Sequence, residues 1–302
     1  MAKSVLTRYL DPEVLTGIAG RRLEPRGLVM GNLAGAHRSP FHGFAVEFAG
    51  HREYVPGDDP KHVDWRVFFT RDKLFIKQYE METNLVCHLV LDISASMRYG
   101  EGIHQKLLFA SRMAAALGYA ILRQSDKVSL ATFDDQVRAF IPPSNSMAQI
   151  VAMTDHLDKV RPFEKTRMAE CLTEIAGRMR RREIVMVLSD FFTDLDGLEK
   201  ALQRMRYSRH EVVLFQVLHH DELDFRFEGP VKFVGLETAE EHFTQPDALR
   251  AAYLAALGRF NDRFAEICAR NRVERVLVDT SRDLAEVFVD YFNQRSLLNR
   301  GR

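Results

Sequence analysis

The sequence predicts an α/β fold built on a doubly wound, mostly parallel sheet, with a small β-rich N-terminal lobe. From Asn84 onward, apolar runs typical of buried strands alternate with segments in which apolar residues recur at helical spacing. The part before Asn84 is instead rich in glycine and turn residues and contains short stretches of alternating polarity. We therefore assign residues 1–82 to the lobe and residues 83–302 to the α/β domain.

The lobe opens with a segment that could form a short helix, Val5–Ile18. Further on, the region around residues 44–48 and the stretch LFIKQYEME (74–82) alternate between apolar and polar side chains, as half-buried strands do. Asp58 and Asp59 could be a catalytic carboxylate pair. A turn at Pro56-Gly57, followed by Asp59 as the N-cap of a helix that begins at Pro60, explains them better.

The α/β domain contains six predicted strands and five predicted helices. The strands are LVCHLVL (85–91), VSLATF (128–133), VRAFI (137–141), IVMVLS (184–189), VVLFQVL (212–218) and 276–279. The helices lie near 107–121, 168–179, 195–205, 247–271 and 283–294. Three polar residues, 134–136, separate the second and third strands and favour a hairpin. Nearly continuous apolar runs such as IVMVLS are typical of strands that are buried on both faces of a parallel sheet.

The composition argues against nucleic-acid binding and membrane insertion. The 302 residues include 42 Lys plus Arg and 42 Asp plus Glu, so the basic excess expected of a nucleic-acid binder is missing. No stretch approaches the roughly 20 apolar residues of a membrane span, and the first residues do not resemble a signal peptide. Cys87, Cys171 and Cys268 stand singly in apolar stretches, so we expect buried free thiols and a cytoplasmic location.

Polar residues with oxygen ligands cluster where the predicted strands end. Asp92 follows the first apolar strand and opens the string Asp92-Ile93-Ser94-Ala95-Ser96, and Asp190 follows IVMVLS in the same way. Thr166 lies on a loop just before a helix. Since ligands of open α/β sheets gather at the carboxyl ends of the strands, we expect these five oxygen-bearing side chains to converge.

Such a donor set suits Mg²⁺, or another hard divalent cation such as Mn²⁺. Hydroxyl ligands leave the ion with much of its charge, so it would seek an acidic side chain of a partner. The predicted metal-binding residues are Asp92, Ser94, Ser96, Thr166 and Asp190.

These residues, in this order, resemble the metal-ion-dependent adhesion site of von Willebrand factor A domains. The flanking strings HRSPFHGFAVEFAGHREYVPGDDPKHVDW, LFIKQYEMETN and LHHDELDFRFEGPVKFVGLET resemble the bacterial family called domain of unknown function fifty-eight. The resemblance spans roughly residues 25 to 295. It implies a non-enzymatic domain that works with a MoxR-type AAA+ ATPase and an unknown client protein, in chaperone-like maturation or stress functions.

Two other functions compete with this interpretation. A phosphohydrolase could use Asp92 as nucleophile, but Ser94 stands where such enzymes carry a second, acidic aspartate. A purely structural subunit could use the metal only to stabilise its loops. His219, His220 and Asp221 are metal-binding residue types, but three consecutive residues with no further ligand nearby do not predict a site. His88, inside an apolar strand, is expected to be hydrogen-bonded in the core or at an edge.

Overall fold

The computed structural model describes residues 5–21, 23, 46–71, 73–81, 85–161, 165–180, 182–227, 229–236, 241–244 and 246–300. Two compact units divide the chain. One is formed by residues 1–26 and 85–302, and the other by residues 27–84. The first unit contains the large sheet and is called the sheet unit here. The second is called the small unit.

Ten strands occur in the described residues, and they are β1 (Val46–Glu53), β2 (Phe75–Met81), β3 (Val86–Asp92), β4 (Lys127–Phe133), β5 (Val137–Ser144), β6 (Ile184–Ser189), β7 (Glu211–Leu218), β8 (Val231–Val234), β9 (Glu241–Thr244) and β10 (Glu274–Asp279). The α-helices of the same residues are α1 (Val5–Tyr9), α2 (Pro12–Ile18), α3 (Trp65–Arg71), α4 (Lys106–Arg123), α5 (Ala148–Lys159), α6 (Met168–Gly177), α7 (Leu195–Tyr207), α8 (His220–Asp224), α9 (Pro246–Asn271) and α10 (Leu284–Arg300).

The large sheet has six strands in the order β10-β7-β6-β3-β4-β5. Five of them are parallel, and β5 runs antiparallel to β4 at one edge. This confirms the predicted α/β class with a mostly parallel sheet. The edge strand β5 contains Pro142 and Pro143. Proline cannot donate a ladder hydrogen bond, so within sheets it is confined mainly to edge strands.

Helices cover both faces of this sheet. On one face, side chains of β3, β6 and β7 such as Val90, Val187 and Leu214 share a buried core with α6, α7 and α9. Helix α4, which is almost wholly apolar along its buried side, packs on the other face against β3, β4, β6 and β7. The strands β3 and β6 are buried along nearly their whole length, as their unbroken apolar sequences predict.

The chain order reverses beside β3. From β3 the chain continues to β4 and β5 on one side, whereas β6, β7 and β10 lie on the other side. The crevice at such a switch point, outside the carboxyl ends of the strands, is where open α/β sheets bind ligands. Asp92 is the last residue of β3 and Asp190 directly follows β6, so both lie at this crevice.

The predicted domain boundary does not coincide with the two units. The segment Val5–Ile18 forms two helices, because Asp11 accepts a hydrogen bond from the backbone of Glu13 and begins a new helix at Pro12. Both helices belong to the sheet unit, where Tyr9 and Val14 are buried. Helix α2 packs against α10 and α4, so it completes the core of the sheet unit. Assigning residues 1–26 to the lobe was therefore wrong.

The small unit contains an antiparallel pair, β1 and β2, and the short helix α3. The Gly57-Asp58-Asp59 segment forms a turn in which Asp58 pairs with Arg52 at 2.8 Å and accepts the Val55 amide at 2.9 Å. The hydrogen bond from Arg52 holds the pKa of Asp58 below its usual value. Asp59 caps a short 3-10 helix by accepting the amide of Lys61. The cap and turn interpretation of this segment is confirmed.

Three further predictions concern the cysteines, His88 and the apolar character of the helices. All three cysteines are buried free thiols, and burial raises the pKa of the Cys268 thiol to about 11. His88 is buried and hydrogen-bonded to Glu183 and Ser129, at 2.8 and 2.6 Å. Among the described residues, no helix has the length and apolar character required to span a membrane.

Candidate metal centre

The turn after β3 brings three of the predicted ligands together. The amide of Ile93 donates to the carbonyl oxygen of Phe133, which keeps the chain alongside β4 for one more residue. The Oδ1 atom of Asp92 then accepts the amide of Ser94 at 2.8 Å, as aspartate commonly does in turns. The chain next forms a 3-10 helix, and the Oγ atoms of Ser94 and Ser96 lie 3.1 Å apart. Ser96 is the partly exposed member of this group.

A hydroxyl that the sequence interpretation did not include joins the two aspartate-bearing strands. Ser189, the last residue of β6, donates its hydroxyl to Oδ2 of Asp92 at 2.6 Å and accepts the amide of Phe191. Asp92 is fully buried, and burial together with the charge of Asp190 raises its pKa to about 7. A cation in this crevice would favour the ionised form of both carboxyls.

Asp190 is also buried, and both of its oxygens have donors. Oδ1 accepts the amide of Phe192 at 3.1 Å, and Oδ2 accepts the ammonium of Lys106 at 2.8 Å. Phe191, which follows Asp190 in the chain, has a φ of 60°, a left-handed conformation that is uncommon for a bulky residue. This local strain directs the backbone so that Asp190 faces the crevice while Phe191 packs against Phe264 in the core.

Lys106 is a buried cation that the sequence interpretation missed. Its ammonium bonds to Asp190 and to Oε1 of Glu222, each at 2.8 Å, and its side chain is almost completely buried. Burial lowers the pKa of Lys106, but the two carboxylates outweigh burial and the pKa lies above its ordinary value. A signal was present in the sequence, since Lys106 lies on the helical face that continues through the buried residues Ala110 and Met113.

Thr166 lies at the same edge of the sheet without a hydrogen bond to the other four predicted ligands. Its loop is attached to the end of β4, because the amide of Arg167 donates to the carbonyl oxygen of Asp134 at 2.9 Å. The Oγ1 atom of Thr166 is buried and has no hydrogen-bond partner within the described residues. Buried hydroxyls are nearly always paired, so a bound ligand would account for the unpaired Oγ1 atom of Thr166.

The donor set fits a small hard cation. Ligand oxygens that neighbour each other around octahedral Mg²⁺ are about 2.8–3.0 Å apart, and the Oγ atoms of Ser94 and Ser96 are separated by 3.1 Å. The unpaired hydroxyl of Thr166 would supply a third such oxygen. Asp92 and Asp190 already accept a hydrogen bond on each oxygen, and this favours contact with an ion through water.

A cleft of about 430 Å³ opens beside the candidate centre and is lined by Ile93, Thr132, Asp134, Arg138, His156, Lys159, Val160 and Arg161. Its charged groups are mainly basic. His156 is hydrogen-bonded to Thr132 at 2.9 Å, and burial and the nearby ammonium of Lys159 lower its pKa. Besides the ion pair of Arg138 with Asp134, the cleft is lined by the basic side chains of Lys159 and Arg161.

The family described as Protein of unknown function DUF58 matches residues 50–262. The chain belongs to this family. Relatives of the DUF58 chain include the uncharacterized protein Rv1480 of Mycobacterium tuberculosis (strain ATCC 25618 / H37Rv), which is 22% identical over 271 residues. That similarity covers 87% of this chain and 80% of the relative. The uncharacterized protein Mb1516 of Mycobacterium bovis has the same identity and coverage.

Solved structures similar to the DUF58 chain include BatB from Bacteroides thetaiotaomicron, at 14% identity and a TM-score of 0.46, with 70% of this chain and 99% of BatB covered. An aerotolerance-related membrane protein from Bacteroides fragilis is 17% identical with a TM-score of 0.49, covering 72% of this chain and 100% of that one. The SpRpn10 VWA domain is 16% identical with a TM-score of 0.40, covering 70% and 95%.

The DUF58 chain has an α/β fold with a mostly parallel, doubly wound sheet. Five parallel strands and one antiparallel edge strand follow the predicted doubly wound topology, and Asp92 and Asp190 lie at its switch point.

Proposed function

We propose that this chain is a non-enzymatic protein-interaction module that holds an acidic side chain of its partner through a divalent cation, Mg²⁺ or Mn²⁺. The ion would be held by Asp92, Ser94, Ser96, Thr166 and Asp190. The observation that carries the proposal is the buried hydroxyl of Thr166, which lacks a partner in the described residues beside a crevice of oxygen donors. Hydroxyls and water-bridged carboxylates would leave the ion with an open position for a carboxylate.

Lys106 strengthens this preference for an acidic partner. Its ammonium already neutralises part of the charge of Asp190, so Asp190 offers less negative charge to the ion. A cation that is poorly neutralised by its own protein attracts an external carboxylate more strongly. The same lysine occupies one oxygen of Asp190, which supports a water-mediated role for that aspartate.

The basic cleft supplies a second recognition element for the same partner. Lys159 and Arg161 line it beside Ile93, the residue between two of the proposed ligands. Acidic residues that flank the metal-bound carboxylate would lie near these two side chains. A partner segment with several acidic residues therefore fits this edge of the sheet better than a neutral one.

The resemblance described above suggests the identity of the partners. A MoxR-type AAA+ ATPase would bind the module, and the module would present a client protein to it for chaperone-like maturation or in a stress response. The first experiment is calorimetry of the full chain with the MoxR-type ATPase of the same organism, with Mg²⁺ and with excess EDTA.

We expect Asp92→Ala and Ser94→Ala to weaken the complex at least tenfold and EDTA to reproduce that loss in the parent chain. Asp196→Ala, which removes an exposed carboxylate on α7, is the matched control and should bind as the parent does. Circular dichroism establishes that each variant folds. Equal affinity for all variants, together with no effect of EDTA, would show that the metal does not mediate binding.

Two further measurements separate the proposed function from its alternatives. Lys159→Glu should weaken the complex with Mg²⁺ present, whereas Lys200→Glu, on the exposed side of α7, should leave it unchanged.

A phosphatase assay with p-nitrophenyl phosphate should give no turnover that depends on Asp92. Turnover lost in Asp92→Ala would favour the phosphohydrolase instead.

A further inference from the structure

A second polar cluster lies at the carboxyl end of β7, and its ligand types differ from those of the candidate Mg²⁺ centre. His219 directly follows β7, and His220 and Asp221 begin α8. The Nδ1 atom of His219 lies 3.2 Å from Oδ2 of Asp221, and the Nε2 atom of His220 lies 3.2 Å from Oδ1 of the same carboxylate. One ligand atom from each residue can be chosen so that all three lie within 4.8 Å of one another.

From this geometry we propose that His219, His220 and Asp221 form a binding site for a transition-metal ion of the Zn²⁺ class. Around tetrahedral Zn²⁺, with bonds of about 2.0–2.1 Å, neighbouring ligand atoms are separated by about 3.3–3.4 Å. Each imidazole nitrogen lies at about that distance from one oxygen of Asp221, His219 from Oδ2 and His220 from Oδ1. Two imidazoles and a carboxylate are ligands for Zn²⁺ and related ions, and they leave a fourth position open.

The surroundings of the cluster hold its ligands in position. The hydroxyl of Tyr99 donates to Oδ2 of Asp221 at 3.2 Å, which is the kind of contact that orients a metal-binding carboxylate. Gly100 lies against the ring of His219 so closely that a Cβ atom there would be 2.8 Å from Cδ2, and its φ of 93° also requires glycine. The loop that contains Tyr99 and Gly100 therefore packs directly on the imidazole.

One side of the cluster is buried in the fold, and the other side is exposed to solvent. The side chain of His219 is 7% exposed, that of Asp221 is 28% exposed and that of His220 is 47% exposed. An ion could therefore enter from solvent and bind a ligand that is fixed in the fold. Nδ1 of His219 also accepts the amide of Asp221 at 3.2 Å as the N-cap of α8, so a bound ion would replace this hydrogen bond.

The two candidate sites are neighbours with separate donor sets. Glu222 follows Asp221 and accepts the ammonium of Lys106, which in turn bonds to Asp190. No residue is a ligand in both sets, so the second site does not depend on the proposed function. Its test can be made independent of Mg²⁺ by working at millimolar Mg²⁺ throughout.

The test is a titration of the full chain with Zn²⁺ by calorimetry and with Co²⁺ by visible absorption, at constant Mg²⁺. We expect one Zn²⁺ per chain and a tetrahedral Co²⁺ spectrum without thiolate charge-transfer bands. His220→Ala and Asp221→Asn should each weaken Zn²⁺ binding at least tenfold, and neither change removes a buried apolar side chain. His62→Ala, an exposed histidine of the small unit, and Asp92→Ala should bind Zn²⁺ as the parent does.

Three results would overturn the assignment. They are the absence of Zn²⁺ binding at micromolar concentrations, Zn²⁺ binding that both His220→Ala and Asp221→Asn leave unchanged, and binding that disappears in Asp92→Ala. The first would show that the cluster is held by hydrogen bonds alone. The second would assign the ion to other residues, and the third would assign it to the candidate Mg²⁺ centre.

Discussion

Two buried cations lie at opposite ends of the large sheet, and each is held between two carboxylates. Lys106 is at the carboxyl ends of the strands, and Arg295 of α10 is at the amino ends of β7 and β10. The carboxylates are those of Asp190 and Glu222 around the lysine and those of Glu211 and Glu274 around the arginine. The charge arrangement is the same at both ends.

The two clusters differ in the polar groups that lie beside the ion pairs. The guanidinium of Arg295 also donates to the hydroxyl of Tyr291 at 3.2 Å, so this cluster combines ion pairs with further hydrogen bonding. The lysine end contains a third carboxyl, Asp92, and the hydroxyl of Thr166, which is unpaired in the described residues. An excess of oxygen acceptors distinguishes a candidate binding site from a buried network that only supports the fold.

The largest effect is expected at the arginine end. Arg295→Ala would take the guanidinium away from the partly buried carboxylates of Glu211 and Glu274, which costs about 3 kcal/mol in the free energy of unfolding. Arg282→Ala, which breaks an exposed pair with Asp290, should cost less than about 1 kcal/mol. Urea unfolding followed by circular dichroism measures both. A loss below 1 kcal/mol in Arg295→Ala would mean that this cluster does not support the fold.

An intermediate effect is expected at the lysine end. Lys106→Met should lower the free energy of unfolding by about 2–3 kcal/mol without Mg²⁺, because the carboxyl groups lose their internal cation. The loss should be smaller than at Arg295, since burial raises the pKa of Glu222 and that carboxyl can take up a proton when the lysine is removed. Added Mg²⁺ should raise the melting temperature more in Lys106→Met than in the parent. A smaller rise in the variant would contradict the arrangement of charges described here.

The smallest effect on stability is expected at Thr166, where the effect on binding should be clear. Thr166→Ala removes a buried hydroxyl that has no partner in the described residues, so the free energy of unfolding should change by less than about 0.5 kcal/mol. Affinity for Mg²⁺, measured by calorimetry, should fall about tenfold, or about 1.4 kcal/mol. Thr280→Ala removes another buried hydroxyl of this kind and should leave Mg²⁺ binding unchanged. Equal Mg²⁺ affinities in the two variants would remove Thr166 from the ligand set.

The sequence predicted those parts of the site that depend on strand ends. The apolar runs before Asp92 and Asp190 mark buried parallel strands, and the carboxyl ends of such strands share one edge. Helical spacing places Lys106 on the buried face of α4, but its ion pairs could not be predicted, because the partner carboxylates are 84 and 116 residues further along the chain. The hydroxyl of Ser189 was missed for the same reason, since its partner Asp92 is 97 residues away.

The fold was predicted best where the sequence of a single segment is sufficient to indicate its secondary structure. The strands β3, β6 and β7 have unbroken apolar sequences, and their assignment depends on nothing else. The segment Val5–Ile18 was recognised as helical, but its membership of the sheet unit depends on contacts with α10, at the far end of the chain. The hairpin of β8 and β9 was not predicted, because four-residue strands show too few alternations for a pattern.

The prolines of β5 have a consequence for self-association. A strand at the border of a sheet exposes a row of backbone groups to which another chain can add, and this is a common route to aggregation. Because successive amides of a strand point alternately to its two sides, Pro142 and Pro143 together remove one amide donor from that row. A strand of a second chain would therefore lack a hydrogen-bond donor along β5, and this edge of the sheet is protected against strand addition.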